Sequence, residues 1–133
     1  MKTIHFICRG NVFRSRLAEA YARSILNAHK YQVQSSGIEA NKALNGLVDL
    51  EAVKALEKDK LLGYLSPRYH QTTQDSLDTS DYIVFMSKSL HDQANKTYDL
   101  KNKEVLIWDI PDVDGVYSNI KAQVNRAVHD NWL

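Results

Sequence analysis

The residues of this sequence best suited to chemistry are its only cysteine, Cys8, and Arg14, which follows six residues later. The segment between them contains Gly10 and Asn11. An apolar, β-rich run over 2–7 precedes the cysteine, and helically spaced apolar residues begin soon after the arginine. A thiol at a strand-to-helix turn, with a guanidinium one loop later, suggests a nucleophile that attacks a bound oxyanion.

A loop that leads from a strand into a helix can bind an anion. Its backbone N–H groups turn toward one point, and the helix N-terminus adds unpaired donors and a partial positive charge. We expect Gly10 to provide the backbone freedom for this convergence, and Arg14 to offer a planar fork for two phosphate-like oxygens. The same field would stabilise a thiolate at Cys8. The alternative is a cysteine that only fills core space, as free cysteines often do.

The composition narrows the classes of function. The 133 residues suffice for one domain, 1–133, and the 17 basic and 16 acidic residues leave a net charge of +1, which argues against a nucleic-acid partner. A single cysteine cannot form an intramolecular disulfide, which favours a reducing compartment. The N-terminal apolar run is too short for a signal peptide, and no segment approaches transmembrane length. We therefore expect a soluble, cytoplasmic protein with no membrane partner.

Apolar periodicity predicts strands that alternate with helices. Strands are expected at 2–7, 31–35, 81–86 and 104–108, and helices at about 15–28, 49–60, after Ser87 and from Ser118. The alternation indicates an α/β fold, a single-domain three-layer sandwich whose four-stranded parallel sheet is flanked by helices. In such sheets, ligands bind beyond the carboxyl ends of the strands. Cys8 and the loop 109–114 follow the first and fourth strands, so both should lie on one edge.

Four segments together resemble one family of enzymes. The run Cys-Arg-Gly-Asn-Val-Phe-Arg-Ser over 8–15 is similar to the active-site loop Cys-x-Gly-Asn-x-x-Arg-Ser of the low-molecular-weight protein tyrosine phosphatases. Residues 35–37 resemble the family's Ser-Ala-Gly segment, and 81–86 resemble its Asp-x-Ile-x-x-Met strand. Residues 108–112 resemble the loop that carries its general acid. The four segments occur in the family's order over nearly the whole chain.

The resemblance implies a two-step phosphatase reaction. Cys8 would attack phosphorus to form a phosphocysteine, while Arg14 and the loop amides hold the phosphate oxygens. Asp112 matches the family's general acid, which protonates the leaving phenolate and then activates water. The residues that match the phosphate-binding loop are Arg9, Gly10, Asn11, Val12, Phe13, Arg14 and Ser15.

The resemblance also implies which residues support the loop and which substrate the site binds. Asn11 and Ser15 match positions that brace the loop and hydrogen-bond the thiolate, and Ser35 is a candidate for the same network. No metal or other cofactor is expected. The implied substrate is a phosphotyrosine protein or a small aryl phosphate, and the oligomeric state stays open.

The general acid has rivals nearby. Asp112 fits the family's Ile-Pro-Asp-Pro pattern, but Asp109 and Asp114 are close, and aspartates are also ordinary turn residues. The chain has Val113 where the family normally places a proline after the acid. Proline would fix φ and stiffen this loop, so its loss is expected to leave the acid more mobile.

Two further departures fall in or next to the phosphate-binding loop. Arg16 replaces the usual proline after the loop serine, and Phe13 replaces a frequent second cysteine, so an oxidised Cys8 would lack an internal resolving thiol. Arg9 and Arg16 flank the loop and would attract anionic substrates, unless one or both are solvated surface charges.

Substrate choice rests on the surrounding side chains. The usual aromatic clamp positions hold Ala40, Asn41, Val113 and Asp114, with Tyr117 as either a substitute or a surface tyrosine. The apolar side chain of Val12 suits the phenyl ring of phosphotyrosine better than it suits phosphoarginine. Among the remaining aromatic and imidazole side chains, we interpret His5, Trp108 and Trp132 as structural.

Two other functions stay open at this stage. Arsenate reductases share the fold and the loop, but they typically use additional cysteines, so this chain would depend on external thiols. The third reading is a non-catalytic module that binds phosphoproteins.

Overall fold

The computed structural model describes residues 1–42, 50–113 and 115–130, without the side chain of residue 42. Its strands are β1 (Lys2–Cys8), β2 (Tyr31–Gly37), β3 (Tyr82–Phe85) and β4 (Glu104–Ile107). They form a parallel sheet in the order β2-β1-β3-β4. Because β1 lies between two strands, the residue at its carboxyl end emerges in the middle of the sheet edge.

Helices connect these strands. They are α1 (Arg14–Ile25), α2 (Leu50–Lys58), α3 (Gln74–Asp78), α4 (Lys88–Thr97) and α5 (Tyr117–His129), with 3₁₀ turns at Ala40–Lys42 and Leu62–Tyr64. Helix α1 packs against β1, β2 and α5, whereas α4 packs against β3. The predicted α/β sandwich, with a four-stranded parallel sheet flanked by helices, is confirmed.

The buried apolar core surrounds the central strand. Every residue of β1 from Ile4 to Cys8 is buried, as expected for a parallel strand that is covered on both faces. Trp108 is also buried and its ring packs against that of Phe6, with 5.7 Å between centroids. Trp108 is therefore a core residue, as the sequence suggested, while Trp132 lies outside the described residues.

The only buried histidine among the described residues links the central strand to its neighbours. His5 Nδ1 lies 3.0 Å from Ser80 Oγ, and its Nε2 lies 2.6 Å from Ser36 Oγ. Ser36 Oγ in turn lies 2.6 Å from Thr72 Oγ1. Burial lowers the pKa of His5 from 6.5 to about 4, so the ring is neutral near neutral pH. These contacts agree with a structural histidine.

The structure corrects several boundaries. Helix α1 ends at Ile25 rather than near residue 28, β2 continues to Gly37, and the helix expected over 49–60 covers Leu50–Lys58, with residue 49 outside the described residues. Helix α3 was not predicted. Its start is a capping box in which Thr73 and Ser76 each accept a backbone N–H of the other. None of the helices in the described ranges is long and apolar enough to cross a membrane.

Candidate active site

Cys8 ends β1 and opens the loop that leads into α1. Its side chain is buried, and two groups of the same loop approach its sulfur. The backbone N–H of Asn11 donates to Cys8 Sγ at 3.2 Å, and Ser15 Oγ lies 2.9 Å from the same atom. Both contacts suit a sulfur that carries negative charge, because each can donate a hydrogen bond to it.

Asn11 connects the loop to the structure behind it. Its side-chain amide donates to Ser15 Oγ and to Ser35 Oγ, each at 2.8 Å. Its side-chain oxygen accepts a hydrogen bond from the backbone N–H of His70, also at 2.8 Å. The side chain is completely buried, so the amide holds three segments in one arrangement.

The left-handed residue of the loop is Asn11, with a φ of 56°, and not Gly10. A Cβ added to Gly10 would meet only Val12 Cγ2, at 3.7 Å, so the expectation that Gly10 supplies the unusual backbone geometry was wrong. Asparagine tolerates the left-handed region better than most residues, because its short amide can form local hydrogen bonds. The turn therefore depends on Asn11 for its backbone as well as for its side chain.

Gly37 packs so closely against the loop that a side chain does not fit between them. A Cβ at this position would lie 2.6 Å from the carbonyl oxygen of Arg9 and 2.7 Å from the nitrogen of Asn11. The residues after it pair with the loop: the N–H of Ile38 donates to the Cys8 carbonyl, and that of Glu39 to the Arg9 carbonyl. The end of β2 thus supports the loop through its backbone.

Arg14 joins the loop after β1 to the loop after β4. The guanidinium is buried, and its Nη1 donates to the carbonyl oxygen of Ile110 at 2.9 Å. Its Nε lies 3.7 Å from Asp112 Oδ1 and has no hydrogen-bond partner within the described part of the chain. One edge of the fork is thus fixed in place, which orients the remaining N–H groups for an anion.

Asp112 combines exposure to solvent with a contact to Arg14. Its side chain is 65% exposed, yet it lies against the buried guanidinium of Arg14. The loop that carries it is anchored just before it, since the N–H groups of Trp108 and Ile110 donate to the carbonyls of Phe85 and Met86. Asp109 is exposed as well, and Asp114 lies outside the described residues.

The other loop residues have distinct surroundings. Phe13 is buried and Val12 is half-buried. Phe13 occupies the N-cap of α1 and makes no side-chain hydrogen bond there to a described residue, and the first helical turn holds no acidic side chain. The N-terminal donors of α1 are therefore available to a ligand. Arg9 is half-exposed, and its guanidinium lies 3.4 Å from Glu39 Oε1.

Arg16 differs most from what its sequence position suggested. It was expected to flank the site as a field-generating or solvated charge, but it is only 1% exposed. Its Nη1 donates to the carbonyl oxygen of Asn11 at 3.1 Å, and its Nη2 donates to the carbonyl oxygen of Ser66. A surface role for Arg16 is thus wrong, because both ends of its guanidinium bind backbone behind the loop.

The candidate clamp residues are spread over different surroundings. Ala40 is buried, and Asn41 is exposed with its N–H bonded to Gln71 Oε1. Tyr117 is half-buried, edge-on to the ring of Tyr21, and Lys121 Nζ lies 4.4 Å from the centre of its ring. Tyr117 is the first residue of α5, and these contacts hold its ring against α1 and the next turn of its own helix.

Sequence reasoning missed three parts of the site. It did not foresee the Ile110 carbonyl that orients Arg14, the His70 N–H that binds Asn11, or the burial of Arg16. Backbone groups carry no side-chain signal, so neither of the first two could be read from residue types. The only signal in the sequence for an unusual role of Arg16 was that it replaces the proline that usually follows the loop serine in the family.

The comparisons with known proteins agree with this geometry. The family described as "Low molecular weight phosphotyrosine protein phosphatase" matches residues 3–113. The chain belongs to this family. Among solved structures, a low molecular weight protein tyrosine phosphatase from T. tengcongensis is similar with a TM-score of 0.82 and 19% identity, covering 98% of this chain and 99% of that one. Vibrio vulnificus Wzb in complex with benzylphosphonate has a TM-score of 0.83 and 20% identity, covering 97% and 98%.

Curated relatives bear a different name. Arsenate reductase 1 of Bacillus cereus is 34% identical over 96 residues, which are 72% of this chain but only 66% of that protein. Arsenate reductase 1 of Staphylococcus epidermidis is 42% identical over an alignment of 139 positions that covers 96% of both chains. This chain thus spans just under two thirds of the Bacillus cereus relative and nearly all of the Staphylococcus epidermidis one.

Proposed function

We propose that this protein is a phosphatase that hydrolyses aryl phosphomonoesters, with phosphotyrosine proteins as its substrate class. The observation that carries the proposal is the pair of contacts at Cys8, whose sulfur faces the N–H of Asn11 and the hydroxyl of Ser15. A sulfur that only filled core space would need no such donors. Its loop also leads into a helix N-terminus with a fixed arginine.

The first step transfers the phosphoryl group to Cys8. The thiolate attacks phosphorus, so that an S–P bond forms as the bond between phosphorus and the phenolic oxygen breaks. Arg14 and the loop N–H groups bind the three non-bridging oxygens, whose charge they stabilise. Asp112, in its protonated form, gives its proton to the departing oxygen.

The second step releases phosphate. The Asp112 carboxylate removes a proton from a water molecule, whose oxygen attacks phosphorus while the S–P bond breaks. The electrons of that bond return to Cys8 as a thiolate, and Asp112 again carries the proton needed for the next cycle. The exposed position of Asp112 suits both tasks, because the leaving group and the water must each reach it from solvent.

Two side chains of the loop suit a substrate that joins an apolar ring to an anionic group. The half-buried Val12 offers an apolar contact in the loop, and the exposed Arg9 adds positive charge at its rim. One similar structure contains benzylphosphonate, which carries a phenyl ring next to a phosphonate group. Its low identity relates it to this chain through the fold alone.

Arsenate reduction is the second candidate, because curated relatives are named arsenate reductases. In that reaction Cys8 would attack arsenic and displace a hydroxyl as water. An external thiol would then attack the Cys8 sulfur, releasing arsenite and leaving a mixed disulfide, and a second external thiol would free Cys8. Both thiols must be external, since the chain has one cysteine.

Steady-state kinetics test the assignment of the acid. We expect Cys8→Ser to abolish turnover of 4-nitrophenyl phosphate and Asp112→Asn to lower kcat by about a hundredfold or more. The loss for Asp112→Asn should be greater with phenyl phosphate, whose leaving group is more basic and needs the proton more. Asp109→Asn is the matched control and should leave kcat nearly unchanged.

Each competing hypothesis predicts a different result in these measurements. If Asp109→Asn shows the leaving-group effect and Asp112→Asn does not, the acid is Asp109. If wild type lacks turnover but reduces arsenate with thioredoxin or glutathione, the phosphatase proposal is wrong and the reductase is favoured. Binding of a phosphotyrosine peptide without either activity would instead indicate a non-catalytic module.

A further inference from the structure

Arg16 lies directly behind the phosphate-binding loop, although it makes no contact that the reaction above requires. Its guanidinium joins two carbonyl oxygens that are distant in sequence, those of Asn11 and Ser66. Arginine is rarely so completely buried unless its charge and its donors are used. Its position therefore needs an explanation beyond general solvation.

The contact with Asn11 sets the direction of a peptide group. In a trans peptide, the carbonyl of one residue and the N–H of the next point in opposite directions. Arg16 holds the Asn11 carbonyl toward the back of the loop, so the N–H of Val12 is directed the other way, away from Arg16. The N–H that Asn11 donates to Cys8 Sγ belongs to the preceding peptide group, so the two peptide groups that flank the Asn11 Cα serve different partners.

The charge of Arg16 is also coupled to the charges around it. Burial lowers the pKa of the Arg16 guanidinium, whereas the Glu19 carboxylate and Cys8 raise it, as expected for nearby negative groups. The attraction is mutual, so a cation that is stabilised by a thiolate also stabilises that thiolate. The buried Glu19 also pairs with the half-buried Arg23, with 3.2 Å between Glu19 Oε2 and Arg23 Nη2.

We propose that Arg16 is a positioning residue, which orients the Asn11 peptide and stabilises the Cys8 thiolate from behind the phosphate-binding loop. The proline that usually follows the loop serine in this family has neither charge nor donor to do this. This role rests on the proposed use of Cys8 as the nucleophile. It differs from that of Arg14, which faces the substrate.

The test uses Arg16→Gln, which keeps an N–H donor but removes the charge, and Arg16→Lys, which keeps the charge but not the fork. The readout is the rate of Cys8 alkylation by iodoacetamide as a function of pH, measured on the folded protein. We expect Arg16→Gln to move the midpoint of this profile upward, because it removes a positive charge behind the loop. Arg16→Lys should move it less, and kcat should fall in both.

Arg23→Met is the matched control. It removes a half-buried partner of Glu19, but the hydrogen bonds of Arg23 go to the carbonyls of Val33 and Tyr64 and to Ser66 Oγ, not to the loop. It should lower the melting temperature while the alkylation midpoint stays that of wild type. If Arg16→Gln folds with an unchanged midpoint, or if Arg23→Met shifts the midpoint as much, Arg16 has only a structural role.

Failure of the two proposals can be told apart. Alkylation reports on the Cys8 sulfur without any turnover. A shifted midpoint in a protein that hydrolyses no aryl phosphate would support the role of Arg16 and overturn the phosphatase assignment. Normal phosphatase activity with unshifted midpoints would support the phosphatase assignment and overturn the role of Arg16.

Discussion

At the scale of single residues, the site consists of a sulfur, a fixed guanidinium and an exposed carboxylate. Cys8 and Arg14 are buried and held by hydrogen bonds, whereas Asp112 is exposed and is placed by its loop. This division suits the proposed chemistry. The groups that hold the phosphoryl group must be ready before it arrives, while the acid must meet both a leaving group and a water.

Arg14→Lys tests the fixed guanidinium. A lysine keeps the charge but cannot bind the Ile110 carbonyl and two phosphate oxygens with one planar group. We expect kcat for 4-nitrophenyl phosphate to fall by about 10²- to 10³-fold, as when one oxyanion donor is lost. Arg9→Lys, at the exposed rim, is the control and should change kcat by less than about threefold.

Thermal unfolding of both variants should accompany the kinetics. A loss of activity in Arg14→Lys that came with general unfolding would not count as support. Equal effects of the two substitutions on kcat would show that Arg14 acts only as one positive charge among several.

At the scale of elements, the site is the meeting point of three chain segments. The turn from β1 to α1 supplies the loop, the end of β2 supports it, and the segment after β4 brings the acid. The closest approach is at Gly37, where no side chain fits between the β2 end and the loop backbone. The geometry around Cys8 thus depends on a residue that lies outside the loop itself.

Gly37→Ala tests this support. The added methyl group would lie within 2.8 Å of three backbone atoms of the loop, so the loop must shift. We expect a loss of about 1–3 kcal/mol in unfolding free energy and a marked fall in kcat/KM. Gly63→Ala is the matched control, because its Cβ would meet no described atom within 4 Å. It should change stability by less than about 0.5 kcal/mol.

Chemical denaturation with parallel kinetics would measure both effects. If Gly37→Ala has the stability and activity of Gly63→Ala, the loop tolerates displacement and the support of β2 is unimportant.

Sequence patterns predicted the elements well where burial enforces a regular period. The strands β1 and β3 are apolar runs, and the main helices show one apolar face, so the order of the elements and the edge that holds the site could be predicted. Helix α3 has five residues, too few for an apolar period to appear, and only the caps at Thr73 and Ser76 indicated it. The end of α1 was placed too late because Leu26 continues the apolar face beyond the last helical turn.

The details of the site were harder to predict because they depend on contacts between distant segments. The burial of Arg16 depends on a carbonyl fifty positions away in the chain, at Ser66. The left-handed turn falls on Asn11 because its amide finds partners on Ser35 and His70, which a glycine could not do. No local pattern encodes either fact.

At the scale of the whole molecule, stability should depend on pH through His5. This ring is neutral and hydrogen-bonded in the fold, with a pKa of about 4, whereas the unfolded chain protonates near the ordinary value of 6.5. The contribution is therefore complete above pH 6.5 and is lost as the pH falls toward 4. Its size is at most about 3 kcal/mol, since each pKa unit corresponds to about 1.4 kcal/mol.

His5→Gln removes this titration and should flatten the fall of unfolding free energy between pH 6.5 and 4. Burial also raises the pKa of Glu19, which acts in the opposite direction because stability then falls as the pH rises above its ordinary value of 4.5. Both proteins contain Glu19, so the difference between them isolates His5. Urea unfolding across this range provides the measurement, with the exposed His29→Gln as control. A wild-type slope in His5→Gln would rule out the role of His5.

The central claim for the molecule is that Cys8 carries the phosphoryl group during catalysis. The most direct measurement is intact-protein mass spectrometry of acid-quenched reactions with 4-nitrophenyl phosphate, for wild type, Asp112→Asn and Cys8→Ser. We expect a mass increase of one phosphoryl group on Cys8, and the increase should be greatest in Asp112→Asn. In that variant 4-nitrophenolate, a good leaving group, still departs, whereas hydrolysis of the phosphocysteine lacks its general base. Turnover by wild type with no adduct in either Cys8-containing protein, or turnover that survives in Cys8→Ser, would contradict the account.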